Sequence, residues 1–551
     1  MEMKRPDTLF EVCFEACNKV GGIYTVVASK ALRMKENFDD YVVIGPYYGE
    51  GQKEEFEERE TPERFIEIFK ELEEEGITCR YGTWKIEGEP GTILIDAGKY
   101  AHAQDGLKKR YWEKFGIDSL DSGWDFIEPM LWSTAAGKFI ERFQEKNKDK
   151  KIVGHFHEWI SSFGILLLNM AGSPVKTVFT THATMLGRSI SGSGKKLYEM
   201  LDSMDPEQEA KNHGVMNKFS TERACAHAAD VFTTVSEITG MEAEKILGRR
   251  PEPLLFNGLD LREFPDERRL LEKRKESREK LCDLAESAIG ERFREDIDKT
   301  RIIFTSGRYE FRNKGVDLFI HTLGRMEEDM KKSDTDRKVL VFFMIPNGWT
   351  EMNGQLKKNI EEHRRDREAF LASGADRIIC SHDLENPDDD IMNALEKAGL
   401  TSDDSRIRCM VIPTYLSEED GLLEEEYYDI TSGCDVGVFA SYYEPWGYTP
   451  PESLAVGVPT VTSDLAGFGR YIKSIGKETE NMKVIGRFDN DDKASDELKS
   501  FLWDIVNRDI DENSRMTSCR EIVKNIEWKD FIDRYLQAYD KALKNQKISY
   551  Q

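Results

Sequence analysis

Nine cysteines are spread through this chain of 551 residues without one C-x-x-C pair. That excludes a zinc ribbon or a small disulfide-stapled scaffold and suits reduced thiols in a cytoplasmic protein. Long apolar runs are missing too. The most apolar stretch, around Phe163 to Ala171, falls far short of the roughly 20 residues that span a bilayer, so no membrane association is expected. The opening MEMKRPDTLFEV has no apolar segment after its basic residues, and no signal peptide is expected. Basic charge is in deficit, with 78 Lys and Arg against 104 Asp and Glu and a formal net charge of −26. Nucleic-acid binding needs a net or local cationic excess, so a neutral polymer is the more acceptable partner.

What is present is enough apolar residue, 39% of the chain with 10% aromatic, to pack more than one core at this length. Short β-branched runs alternate with longer stretches of helical periodicity. They include Thr8 to Phe14, Tyr41 to Ile44, Thr92 to Ile95, Lys151 to Val153, Thr177 to Thr181 and Val231 to Val235. The rhythm repeats at Arg301 to Thr305, Val339 to Ile345, Met410 to Pro413, Val436 to Phe439 and Thr460 to Thr462. Such alternation predicts an α/β protein with parallel sheets flanked by helices.

A strand-like PLLFNGLDL precedes the charged helical stretch Arg262 to Lys299, and the domain boundary is placed near Asn257. This gives an N-terminal domain over 1–256 and a second over 257–525. From Trp528 onward Phe531, Ile532, Tyr535, Leu536, Tyr539 and Leu543 recur at helical spacing, so 526–551 is read as an amphipathic helix packing back on the N-terminal domain. The Glu-rich patches Glu54 to Glu63 and Glu71 to Glu75 are read as solvated helix faces.

Five segments carry candidate chemistry. In NKVGGIYTVV, Gly21 and Gly22 sit between a strand and a helix, where backbone N–H groups can approach a diphosphate, and Lys19 adds a cation; an ordinary tight turn is the bland alternative. KIVGHFHEWIS holds His155, His157 and Glu158. Its two histidines point one way on a strand, but with no cysteine or third histidine close in sequence a metal site is not expected. In TVFTTHATMLGRS, His182 and Arg188 are read as a sugar and phosphate contact pair. FTSGRYEFRNKGVDLFI leads from a strand through Arg308 and Lys314 into a helix, placing two cations where a leaving diphosphate gains charge, without need of a metal. The fifth segment is the most informative. In SYYEPWGYTPPESLA, Glu444 and Glu452 bracket a Pro- and Gly-shaped strand end, suited to one contact with a reacting sugar and one with a ribose. The acidic run Asp388 to Asp390 fits a D-x-D metal pattern literally and the pair Asp403 and Asp404 comes near it, but both are read as solvated loops.

Together NKVGGIYTV, HFHEW, FTTHATMLGR, ERACAHAADVFTTVSEIT, FNGLDL, GRYEFRNKG and SYYEPWGYTPPE, with the following LAGFG, resemble the glycogen synthases of the animal and fungal kind. They stand in family order from Leu9 to Gly469, and WKDFIDRYLQAY extends the match toward the C-terminus. The resemblance implies a GT-B architecture: two facing Rossmann-like domains with the nucleotide-sugar in their cleft. It also implies a retaining transfer of glucose from UDP-glucose, or ADP-glucose, to a glycogen or α-1,4-glucan end, with no cofactor or metal. Lys19, Gly21 and Gly22 would contact the donor diphosphate, and Arg308 and Lys314 would hold it as well. Tyr427 would stack the base, Glu452 bind the ribose, and His182, Arg188, Trp446 and Gly447 line the glucose pocket. Glu444 takes the place of the essential glutamate, either as nucleophile or as the carboxylate that orients the sugar. The second role is expected, because a leaving-phosphate oxygen can accept the incoming hydroxyl proton. A homo-oligomer is expected.

The chain departs from the regulated members of that family where they carry an arginine run on a helix. Here the stretch reads DIDENSRMTSCREIVKN, with only Arg515 and Arg520, so no activation by glucose 6-phosphate is expected. The alternatives are a related glycosyltransferase making trehalose, sucrose or a surface polysaccharide, and a catalytically silent glucan-binding homologue. Glu444, Arg308, Lys314 and His182 occurring together argue against silence.

Overall fold

The computed structural model describes residues 3–488 and 490–545. Contacts divide the chain into two units: unit 1 runs through Asp260 and resumes at Ile526, and unit 2 comprises Leu261–Asn525.

Unit 1 carries β1 (Thr8–Val12), β2 (Tyr41–Pro46), β3 (Phe56–Glu58), β4 (Thr78–Trp84), β5 (Gly91–Asp96), β6 (Ile152–His157), β7 (Lys176–Thr181) and β8 (Val231–Thr234) in one sheet ordered β3-β4-β5-β2-β1-β6-β7-β8. The six strands from β5 to β8 in that order are parallel, and β3 and β4 add an antiparallel edge. The central strands are buried along their whole length. Helices cover them: Phe10 meets Phe139 and Phe143 of the helix Trp124–Lys146 edge-on, at centroid distances of 5.5 and 5.1 Å. The helix Trp528–Lys544 belongs to this unit and buries Trp528, Phe531, Ile532, Tyr535, Leu536 and Tyr539, the stripe expected of its periodicity. Its Trp528 indole donates to Ser29 Oγ at 2.8 Å on the helix Gly22–Asn37.

Unit 2 carries β9 (Thr300–Ser306), β10 (Lys338–Met344), β11 (Trp349–Met352), β12 (His382–Leu384), β13 (Ile407–Ile412), β14 (Val436–Phe439), β15 (Thr460–Ser463) and β16 (Met482–Ile485). Six of them form a parallel sheet ordered β13-β10-β9-β14-β15-β16, with β11 and β12 as a separate antiparallel pair. Its core runs from Val339, Val341 and Phe343 to Phe319 and Leu323 of the helix Val316–Lys332 and on to Leu498 and Leu502.

Three readings from sequence are corrected here. Glu54 to Glu63 is not a helix face: Phe56–Glu58 is an edge strand whose Phe56 is buried while both glutamates face out, an arrangement too short to show a period. PLLFNGLDL is not a strand; two isolated bridges, Leu254 to Thr234 and Leu259 to Glu527, are its sheet-like contacts. Asp389 is not solvated. It is buried, caps the helix Asp390–Lys397 through the amides of Ile391 and Met392, and accepts from Tyr309 Oη at 2.7 Å. The Glu71 to Glu75 patch does lie on a helix, where Glu71 and Glu75 pair with Lys138, Arg142 and Lys146.

Candidate active site

Chemistry in a parallel α/β sheet collects beyond the carboxyl ends of the strands, where loops meet helix starts. In unit 2 that edge follows β9 and β14. Lys314 lies past β9, and Gly315 beside it adopts φ +75°; a side chain there would run into the Ala440 carbonyl at 1.9 Å. Only glycine permits this approach, and it brings Lys314 to the strand end after β14, where its ammonium pairs with Glu444. Both side chains are largely buried. Glu444 is itself pinned by its backbone, whose carbonyl accepts from Gly467 N–H at 3.0 Å. Gly447 turns the chain at φ +93° directly over the Glu444 side chain. Arg308 is exposed and pairs with Glu310 at 3.0 Å.

Beside this pair, Ser306, Gly307, Met344, Pro346, Tyr415 and Tyr427 line a cavity of about 210 Å3. Tyr427 Oη and Ser306 Oγ share a hydrogen bond at 2.6 Å, which fixes the ring against the end of β9. Glu452 opens the helix Thr449–Ala455 and is hydrogen-bonded by Tyr428. Burial pushes its carboxyl up to about 7, with the Glu263 charge adding to the rise. Trp446 is 2% exposed, its ring packing on Phe468 and Tyr471. An indole next to a glycine turn supplies more stability as core than as an exposed wall.

In unit 1 the corresponding edge follows β1, β6 and β7. The helix Gly22–Asn37 begins at the two glycines, and two amides at its start are already taken: Gly21 N–H and Tyr24 N–H donate to Glu15 at 3.0 and 2.7 Å. A carboxylate at a helix N-terminus is stabilised just as a phosphate would be, so an incoming anion has to displace Glu15. Lys19 is exposed and lies 5.8 Å from the Tyr24 ring centroid.

Glu158 ends β6 at φ +63°, ψ +161°, a region that a side chain rarely enters and that costs about 1–3 kcal/mol. The bend brings its carboxylate under the next loop, where it accepts the amides of His182 at 2.6 Å and Ala183 at 3.1 Å. Burial raises its pKa, against the pull of Arg188 and the two amides. Neighbouring Glu222 is raised as well, by burial and then by the charge of Glu158. Arg188, exposed, stands on the helix Met185–Gly192, which Thr184 caps by accepting from Gly187 N–H.

Beneath His182 lies a fully buried polar chain. The parallel register places Glu11 of β1 against His155 of β6. His182 Nε2 meets His157 Nδ1 at 2.9 Å, and His157 Nε2 meets Glu11 at 2.7 Å. Glu11 also binds the Lys30 ammonium and the Tyr41 hydroxyl. His155 joins Tyr539 at 2.9 Å and Thr180 at 2.7 Å. Glu11, His155 and His157 are close enough to share an ion, but Lys30 already supplies the cation their carboxylate requires. Sequence reading missed Glu11, Lys30 and Glu15. An acidic residue inside the apolar run TLFEV and a lysine on the buried face of a helix were the available signals.

The fold is the GT-B architecture found in solved glycosyltransferase structures. The catalytic domain of starch synthase IV from Arabidopsis thaliana aligns with a TM-score of 0.56 at 14% identity, over 98% of this chain and 100% of that one. A trehalose-6-phosphate structure from E. coli bound with UDP-2-fluoro glucose aligns at 0.50 and 11%, over 97% of this chain and 99% of that one. By sequence, the family profile described as glycogen synthase matches residues 11–361 and 364–549. Glycogen [starch] synthase isoform 1 of Saccharomyces cerevisiae is 31% identical over 97% of this chain and 86% of its own length. The Caenorhabditis elegans glycogen [starch] synthase is 32% identical over 90% and 81%. The chain belongs to the glycogen synthase family. Among the described residues no helix is long and apolar enough to cross a membrane.

Proposed function

We propose that this chain moves glucose from UDP-glucose to the non-reducing end of an α-1,4-glucan with retention of configuration. The observation that carries the reading is the Lys314–Glu444 pair at the strand ends of unit 2, next to a cavity walled by Tyr415 and Tyr427. In the donor complex Tyr427 would stack the base and Glu452 accept from the ribose. The diphosphate would draw Lys314 from Glu444 and take a second cation from Arg308. Both cations stabilise charge that grows as the glycosidic bond breaks, so the reaction needs no metal ion. Glu444, released, would orient the sugar, and a phosphate oxygen would take the acceptor proton. In unit 1, Lys19 and the Gly21 amide, once Glu15 yields it, would suit a diphosphate, and His182 and Arg188 would suit a glucose. The nine free cysteines suit the cytoplasm.

Labelled UDP-glucose and ADP-glucose, each offered with glycogen in the presence of EDTA, test the reading. It expects incorporation from UDP-glucose that survives chelation. Incorporation only on adding Mg²⁺ or Mn²⁺ would overturn the leaving-group argument, preference for ADP-glucose would reassign the donor, and no incorporation from either would leave the silent-homologue alternative.

A further inference from the structure

The buried chain under His182 has a property that follows from proton counting. His155, His157 and His182 are each pushed toward the neutral form by burial, so each ring carries one N–H. Burial also works against ionised Glu11, but the Lys30 charge, with the hydrogen bond from His157, outweighs it and holds the carboxyl well below its ordinary range. A carboxylate can only accept. His157 must therefore place its proton on Nε2, which donates to Glu11 at 2.7 Å. Its Nδ1 is then a lone pair, and the 2.9 Å contact to His182 Nε2 requires that His182 be the donor. Neutral His182 is left with an unprotonated Nδ1.

We infer that Glu11 and His157 are positioning residues that fix His182 as its Nε2–H tautomer, so that Nδ1 meets the transferred sugar as a hydrogen-bond acceptor for one of its hydroxyls. The sugar contact rests on the proposed function; the tautomer does not. Lys30 and Tyr41, both on Glu11, keep the carboxylate ionised and oriented and so belong to the same device. The neighbouring His155 is outside it. Thr233 Oγ1 donates to the Phe179 carbonyl and Thr180 Oγ1 to Thr233, so His155 Nε2 donates to Thr180 and its Nδ1 accepts from Tyr539. That branch ends in hydroxyls and backbone.

The tautomer is read in the ligand-free full-length protein by long-range ¹H–¹⁵N correlation on ¹⁵N-histidine-labelled enzyme, the His182 signals being those lost in His182→Gln. The expected spectrum shows protonated Nε2 and unprotonated Nδ1 at His182 from pH 6 to 8. An Nδ1–H tautomer or a doubly protonated ring at pH 7 would overturn the inference whether or not the enzyme transfers glucose. Two variants then separate positioning from packing. His157→Asn puts an amide oxygen in place of Nδ1 and should keep the His182 tautomer, with kcat/KM within about threefold of wild type. His157→Leu removes the acceptor and should mix the tautomers and lower kcat/KM about tenfold, the scale of one hydrogen bond. Equal losses in the two variants with an unchanged His182 spectrum would reduce His157 to packing and contradict the proposal.

Discussion

Two buried carboxylates, Glu11 in unit 1 and Asp435 in unit 2, meet the same electrostatic demand by different means. Both are withdrawn from water, and both ionise well below the ordinary carboxylate range although burial opposes it. Asp435 is held by guanidinium groups: Arg274 and Arg278 at 2.8 Å and Arg515 at 3.4 Å, with the Ile302 amide at 2.7 Å. Arginine does not lose its proton in a protein, so this knot is static and ties β9 and β14 to two helices. Glu11 is held by a lysine, a tyrosine and a histidine, groups whose protons have more than one possible place. A carboxylate among arginines secures a fold, whereas a carboxylate among histidines and phenols can also decide where a proton resides.

The largest expected effect tests the static half. Asp435→Asn leaves three guanidiniums around a neutral group, and breaking a buried pair in this way costs about 3–5 kcal/mol. The midpoint of urea unfolding should fall accordingly while the folded enzyme keeps its kcat. An unchanged midpoint would strip the knot of its structural role, and a lost kcat with normal stability would break the comparison. Next comes a carboxylate whose partner is meant to leave it. Glu444→Gln and Arg308→Ala should remain folded and lose about 10²–10³ in kcat, since each contact strengthens with transition-state charge. Glu158→Gln, which retains an acceptor for the two amides, should be milder. Near-normal turnover in Glu444→Gln or Arg308→Ala would remove that residue from the mechanism.

A smaller effect concerns pH. Glu452 is raised from 4.5 to about 7, so the folded chain keeps a proton there that the unfolded chain has released. Its contribution to stability is full below about 4.5 and is lost as pH rises through about 7. Asp435 has the opposite sign, stabilising above its ordinary 3.8 and losing that contribution as pH falls. For a ribose contact the ionised form is the acceptor, so the donor KM should fall several-fold between pH 6 and 8 and be flat in Glu452→Gln. A flat wild-type profile would refute the assignment.

The smallest expected effect is none. Arg515 is spent on Asp435 and Glu512, and Arg520 on the carbonyls of Pro265 and Ala455. A sugar phosphate needs several converging cations, so millimolar glucose 6-phosphate should change the rate at sub-saturating donor less than about twofold, a bound that follows from its having no state to prefer. Several-fold stimulation would mean that other basic residues sense it.

The parallel strands other than β16 were legible because strands buried on both faces read as unbroken apolar runs, and β14, VGVF, is the plainest case; β16, MKVI, was missed. The edge pair β3 and β4 was not: FEE and TCRYGTW satisfy one face with charge and carry little period. At the site, residues in loops after strands could be found by position and type, as with Lys314 and Glu444. What sequence could not give was who already occupies whom. Glu15 takes the Gly21 amide, Glu158 takes the His182 amide, and Trp446 turns inward. The second and third of these depend on segments brought together by the fold, and although Glu15 lies only six residues from Gly21, the loop conformation that joins them is not written in the spacing.

The most direct measurement of the central claim is the linkage formed. Glycogen incubated with UDP-[1-¹³C]glucose and this protein should acquire a new ¹³C anomeric signal of α configuration, released as maltose units by α-1,4-specific digestion. A β signal, an α,α-1,1 linkage, or label found only in free glucose would contradict the account.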